Sequence, residues 1–382
     1  LWAKTFGGPG MDAARAVATA PNGAIYLAGH FSGVAAFGAN RTFDSGSEGA
    51  LDGFIMRLDE HGGVSWVRQA HGQLDQKILA VAADESGVTI GGWYEGKTLE
   101  LRNANGDAKK TLTKTMAHDK DLFVAKYDDA GAPRWLTGAS GNKNDAIEAL
   151  ALGVGGRVYA AGYFNSSTLQ AGSLSFSLTL NIEEPELSRD AIVLALDSQG
   201  AISGGVSFGG AGPEEAHGVV VGPMGAPIVT GWSQSDEVSL AGKSLEGKGL
   251  DDLFVVKLSA DAKRVDRAWM VGSPGRDAAF EIARCGDSLV VVGTSGGSTG
   301  DTHWDVGDGQ RVLVGRLDPQ LRSVGVEGAL VGGEGRAWGV AALPNQELVV
   351  TGYFKGSFKA PNGQPLTTKG DRDLFVWRLP AP

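Results

Sequence analysis

Asp121-Leu-Phe-Val-Ala-Lys126-Tyr127, read together with its copies, decides the fold of this chain. The same string, an acid, an apolar run and a base, stands at Asp52-Gly-Phe-Ile-Met-Arg57-Leu58 and Asp252-Leu-Phe-Val-Val-Lys257-Leu258. It recurs as Asp190-Ala-Ile-Val-Leu-Ala195-Leu196, Arg311-Val-Leu-Val-Gly-Arg316-Leu317 and Asp373-Leu-Phe-Val-Trp-Arg378-Leu379. Copies spaced by about sixty residues are the mark of a repeated supersecondary unit. Working outward from the Asp52 copy, Ala14–Thr19 is a small-residue strand, and Pro21-Asn22-Gly23 is a turn. A second strand follows at Ala24–His30, and the two form a hairpin. A variable stretch leads to the Asp52 strand, and the turn Asp59-Glu60-His61-Gly62 leads to a fourth strand around Trp66. Four antiparallel strands per repeat predict an all-β chain, a single β-propeller over 1–382 with six four-stranded blades. The repeats begin near residues 2, 66, 135, 204, 268 and 326.

The ends of the chain extend this expectation. Leu1-Trp2-Ala3-Lys4-Thr5-Phe6 matches the fourth strand, where Trp66, Trp135 and Trp269 stand, while Asp373–Arg378 matches the third. The N-terminal strand is therefore expected to complete the last blade and close a ring, leaving no open sheet edge.

Composition agrees with many tight turns and a full core. Glycine is 59 of 382 residues, the hydrophobic set is 42% and charged residues are 20%. A net charge of −10 opposes nonspecific binding to nucleic acid, and no apolar run is long enough to span a bilayer. A single cysteine, Cys285, in a strand pattern reads as a buried inert thiol and excludes an internal disulfide framework. The chain starts inside a repeat, so it reads as a mature or excised domain, a monomer or a part of a larger multidomain protein.

The units resemble the bacterial β-propeller repeat family, often described as the seven-bladed β-propeller repeat, of large secreted or surface proteins. Gly7-Gly8-Pro9-Gly10-Met11-Asp12, Ile25-Tyr26-Leu27-Ala28-Gly29 and Gly53-Phe54-Ile55-Met56-Arg57-Leu58-Asp59 carry the resemblance, which covers essentially the whole chain. Copies five and six depart from it, with Arg311 in place of the acid and no clean acid before Trp338. The resemblance implies a propeller and an extracellular or cell-surface location, and it implies no settled activity.

Two rows of residues are candidates for function. The acids that open the first strand of successive repeats are Asp12, Asp75, Asp145, Glu214 and Asp277, spaced by 63, 70, 69 and 63 residues. Oxygen donors around one axis would suit Ca²⁺, although acids in Gly-rich turns also serve their own turns by accepting backbone N–H bonds. No cofactor is required. The second strands end in glycine and a mostly aromatic pair, giving His30, Trp93, Tyr163, Trp232 and Tyr353 as ligand-binding candidates that could equally pack between repeats. Variable stretches at 32–51, 95–120, 165–189, 233–250, 295–310 and 355–372 are where recognition of a protein or carbohydrate is expected.

Catalytic signatures are weak, and no catalytic residue is assigned. Gly205-Val-Ser207-Phe-Gly209 and Gly293-Thr-Ser295-Gly-Gly297 fit G-x-S-x-G but precede no helix pattern. The histidines show no zinc spacing, and His217 could join the acids. Asn40-Arg-Thr42 and Asn165-Ser-Ser167 match glycosylation sequons. The reading is thus a non-catalytic surface propeller that binds or scaffolds through its loop face. Its alternatives are a lyase or hydrolase using the strand-opening acids, or a calcium-stabilised carbohydrate-binding propeller.

Overall fold

The computed structural model describes residues 2–38, 41–46, 49–103, 105, 107–114, 119–181, 184–240, 242–299, 309–359 and 365–380. Among them the backbone is strand and turn, and the sole helical element is the 3₁₀ turn Val154–Gly156. The chain divides into two compact units, Leu1–Leu178 with Leu194–Gly204, and Thr179–Val193 with Gly205–Pro382.

In five of the six repeats the four strands lie where the sequence puts them. The first sheet is β1 (Asp12–Thr19), β2 (Ile25–Ser32), β3 (Leu51–Leu58) and β4 (Val64–Gly72), paired in that order. The second is β5 (Gln76–Asp84), β6 (Gly87–Tyr94), β7 (Asp121–Asp128) and β8 (Pro133–Ala139). The third is β9 (Asp145–Leu152), β10 (Val158–Phe164), β11 (Asp190–Leu196) and β12 (Ile202–Phe208). Next come β13 (Glu214–Val221), β14 (Pro227–Ser233), β15 (Asp252–Leu258) and β16 (Val265–Val271). The fifth sheet is β17 (Ala278–Cys285), β18 (Ser288–Ser295), β19 (Arg311–Leu317) and β20 (Ser323–Val331). The last, β21 (Gly335–Ala342), β22 (Leu348–Phe354) and β23 (Asp373–Leu379), has three strands. Each is an antiparallel meander, the unit of a propeller blade. Cys285 is buried and free, as expected, with Sγ 3.1 Å from the Gln346 carbonyl.

The expected N-terminal strand is not formed. Residues 2–6 pair with no strand, and β23 is a sheet edge. On β23, Leu374 is 79% and Val376 67% exposed, whereas Leu122 and Val124 at the same places in β7 are each 1% exposed.

Two contacts repeat from one sheet to the next. A fourth-strand tryptophan lies over the β3–β4-type turn of the following repeat. Trp66 Nε1 donates to the Asp129 carbonyl at 2.8 Å, and Trp135 Nε1 to that of Ser198 at 3.1 Å. The end of the fourth strand also pairs with the next repeat's loop hairpin. Ala70 pairs with Leu101, Ser140 bridges Gln170, Gly209 bridges Ser239 and Val331 pairs with Phe358. The N-terminal segment makes both contacts with the first sheet. Trp2 Nε1 donates to the Glu60 carbonyl at 2.9 Å, and Gly7 bridges Ala36.

The tryptophan contact explains a glycine in the turn. Gly62, Gly131 and Gly200 have φ of +75°, +79° and +82°, and a Cβ there would stand 2.8, 2.7 and 2.5 Å from the rings of Trp2, Trp66 and Trp135. Left-handed backbone and a ring overhead both exclude a side chain. Trp269 does not belong to this series. Arg267 pairs with Lys257 as Trp135 pairs with Lys126, so Trp269 lies two residues further along its strand.

The third-strand acids anchor the long loops. Asp190 Oδ2 accepts from Thr179 N and Oγ1 at 3.0 Å each, and Asp252 Oδ2 accepts from Lys248 N at 2.6 Å. Asp52 Oδ2 holds Gln69 Nε2 at 2.5 Å and His71 Nδ1 at 2.7 Å. The bases bond onward, Arg57 to Asp129 at 3.0 Å and Lys257 to the Pro319 carbonyl at 3.2 Å.

Candidate functional site

Where the first strand opens, the carboxylates are held by their own turns. Asp145 is buried and accepts Asn165 N and Ser166 N through Oδ1 and Ser166 Oγ through Oδ2 at 2.7 Å. Glu214 takes Ser233 Oγ at 2.7 Å, Ser235 Oγ at 2.5 Å and Gly210 N at 2.8 Å. Asp277 takes Ser273 N at 2.7 Å and Ser273 Oγ at 2.5 Å, and Asp12 takes Gly8 N at 2.8 Å. Burial pushes Asp145 and Glu214 each up to about 7.

Asp75 is not the equivalent of these acids. Gln76 pairs with Tyr94 as Asp145 pairs with Phe164, so Gln76 fills the position and Asp75 precedes it. Asp75 instead accepts Leu51 N at 3.0 Å. Gly335 holds the place in the last sheet. Among the described residues, no three His, Cys, Asp or Glu come together to hold a metal.

The aromatic candidates differ in their surroundings. In the first unit, His30 is buried, and its imidazole is lowered to about 4, first by burial and then by the charges of Lys77 and Arg15. Trp93 is buried beneath two ammonium groups, Lys120 Nζ at 4.3 Å and Lys77 Nζ at 5.5 Å from its centroid. Tyr163 is half-buried and pairs with Ala146. In the second unit, Tyr353 donates to Glu334 Oε1 at 2.6 Å beneath the Arg372 guanidinium at 4.9 Å. Trp232 stacks on His217 with centroids 6.4 Å apart.

One feature of the first strands was not apparent from the sequence. Each carries a β-bulge at the same place, where one residue has no partner across the ladder: Arg15, Leu79, Glu148, His217, Phe280 and Trp338. Bulges re-aim side chains and gather near functional sites. In the second unit β13, β17 and β21 lie side by side, and their bulge residues touch in series. The rings of His217 and Phe280 are 5.6 Å apart, and those of Phe280 and Trp338 4.2 Å. Arg336 lies over both Phe280 and Trp338, at 5.5 and 5.9 Å.

Polar groups frame this row. His217 Nε2 is 2.8 Å from Glu215 Oε2, and Arg189 pairs with the other oxygen of Glu215. His217 therefore meets Glu215 and not Glu214. Glu281 keeps part of its surface open, yet burial pushes its carboxyl up to about 7. Glu281 Oε1 accepts its neighbour's amide, Ile282 N, at 3.0 Å.

Neither G-x-S-x-G string opens a helix, since Ser207 lies within β12 and Ser295 ends β18. Asn165 is buried, and Asn40 lies outside the described residues. The 95–120 stretch carries a hairpin of Thr98–Arg102 with Ala108–Thr113.

The class these observations define is an all-β repeat protein built of four-stranded antiparallel sheets. No family model matches the chain, and no curated protein does, so the resemblance to the bacterial repeat family rests on the residues quoted for it. The WD40 domain of Pan2 from Neurospora crassa is similar at 10% identity over 97% of this chain and 90% of that one, with a TM-score of 0.41. Sqt1 from Chaetomium thermophilum is similar at 10% identity over 99% and 98%, with a TM-score of 0.36. A protein of unknown function from Bacteroides caccae covers 78% of each chain at 10% identity, with a TM-score of 0.35. Likenesses this distant carry no argument about function.

Proposed function

We propose that this protein is a non-catalytic binding module of the β-propeller class whose ligand sits on the row His217, Phe280 and Trp338. The observation that supports it is that three equivalent bulges bring three rings into contact in series, with Trp338 at the end of the row 45% exposed. The strand-opening acids are engaged by their own turns, which leaves them poorly placed for chemistry. The test is a ligand screen, by peptide display and by oligosaccharide array, on the protein and on Trp338→Ala. Ligands that bind both equally would end this reading.

One observation favours an enzyme instead: Glu281, pushed up to about 7 beside His217, has the protonation behaviour of a general acid. A hydrolase or lyase of this kind would lose turnover in Glu281→Gln while keeping its ligand affinity.

Residues 2–7 act on the first sheet as a fourth strand acts on its successor, and β23 lacks such a strand.

A further inference from the structure

The row on β13, β17 and β21 has a chemistry that selects among ligands, and this step rests on the binding reading above. Its charged groups already have partners: Glu215 holds His217 and Arg189, and Glu334 holds Arg336 at 3.5 Å and Arg372 at 2.7 Å. A surface with its charges paired exerts little net pull on an ion. Its planar groups are nevertheless oriented, and they present directed donors and acceptors beside an aromatic face. Hydroxyl groups, which both donate and accept, suit such groups, and the C–H face of a pyranose suits an indole. The exposed platform amounts to one ring, Trp338, backed by Phe280 at 4.2 Å and covered on one side by Arg336. That is the footprint of a single sugar, whereas an extended peptide needs a longer groove or a free sheet edge.

We infer that Trp338, Phe280, Arg336 and His217 form a subsite for one uncharged pyranose of an oligosaccharide, with no metal ion taking part. Trp338 supplies the stacking face. Arg336 and the Glu215-bound His217 address hydroxyls at its rim, and Glu281 accepts or donates according to its protonation state.

The experiment is calorimetric titration with maltotriose, cellotriose and xylotriose as neutral probes and trigalacturonate as the acidic one, each with and without EDTA. At least one neutral probe should bind, unaffected by EDTA. Trp338→Ala should weaken it at least about tenfold, while Trp338→Phe retains most of the affinity. Because Trp338 is half-exposed, Trp338→Ala should melt with the parent protein, which circular dichroism checks. Binding of trigalacturonate alone, EDTA-sensitive binding, or neutral binding indifferent to Trp338→Ala would each overturn the subsite. The binding-module reading fails separately. A displayed peptide whose binding Trp338→Ala abolishes, with no sugar bound, keeps the module and removes the saccharide. Ligands indifferent to Trp338 remove both.

Discussion

The two compact units spend the same repeat differently. In the first unit, rings are used for the frame: Trp2, Trp66 and Trp135 each press on a turn glycine of the following repeat. Arg68 reinforces one of these, with its guanidinium 5.2 Å from the Trp66 centroid and Nε bonded to the Gly131 carbonyl at 2.7 Å. The bulges of that unit present Arg15, Leu79 and Glu148, which form no aromatic surface. In the second unit the arrangement is reversed. The turn residues are Ala262 and Leu321, with φ of +53° and +60°, and the residue aligned with the tryptophans is Arg267. Its rings stand instead at the bulges. Ring and glycine vary together because they occupy the same space, so a repeat that gives up the ring also loses its need for glycine.

The largest expected effect tests that coupling directly. Gly131→Ala puts a methyl where left-handed backbone and the Trp66 ring both oppose it. The two penalties, each on the order of 1–3 kcal/mol, predict a loss of about 3 kcal/mol in denaturant unfolding. Gly225→Ala is the control. Its φ is +78°, but nothing lies within 4 Å of the added atom, so the backbone term alone applies, about 1 kcal/mol. Equal losses at the two sites would show that the ring contributes nothing.

A middle-sized effect concerns buried acids, which both units contain. Burial raises Asp121 and Asp190 to about 6, and Asp145, Glu214 and Glu281 to about 7. Between about pH 4 and pH 7 the folded state holds protons that the unfolded chain has released, so stability falls as pH rises through that window. His30 works the other way. Lowered to about 4 when folded, it costs stability as pH falls from 6.5 towards 4. Five groups outweigh one, so the protein should melt roughly 5 °C higher at pH 5 than at pH 8. Asp145→Asn and Glu281→Gln should each flatten the slope, and only the second should also alter ligand binding. A melting point that rises from pH 5 to pH 8 would contradict the burial of these acids.

How much of this was legible in sequence follows from the kind of signal each feature leaves. The third strands announce themselves by a repeated string of an acid, an apolar run and, in most copies, a base, so β3, β7, β11, β15, β19 and β23 fall where Asp52 and its copies predict. The tryptophan of the fourth strand and the glycine of the turn are visible as residue types, although their contact is not. The bulge row was invisible, because a bulge is defined by pairing and its six residues share no chemistry. Its one sequence trace is a constant offset, three residues after the position held by Asp12, Gln76, Asp145, Glu214, Asp277 and Gly335. Asp75 was misplaced for a related reason. A charge one residue away from the true position attracts the alignment, and in a strand a one-residue slip exchanges the faces. Trp269 stands two residues beyond the position Arg267 occupies, an offset that keeps the face and so leaves the apolar pattern unchanged.

The smallest effect sharpens the comparison from the other side. If ring and glycine are linked only through shared space, a turn without a ring overhead should accept glycine with a gain. Ala262 holds φ of +53° and is fully buried, so its methyl contributes packing while its backbone is strained. Ala262→Gly removes about 1–2 kcal/mol of left-handed strain. It forfeits one buried methyl, near 0.8 kcal/mol, and adds freedom to the unfolded chain. The balance is a change of at most about 0.5 kcal/mol, opposite in sign to Gly131→Ala or close to zero, measurable by denaturant midpoint at unchanged m-value. A loss of 2 kcal/mol or more would mean that the Ala262 methyl fills a space as specific as the one Trp66 fills over Gly131. The second unit's turns would then be packed as tightly as the first's, with a methyl in place of an indole.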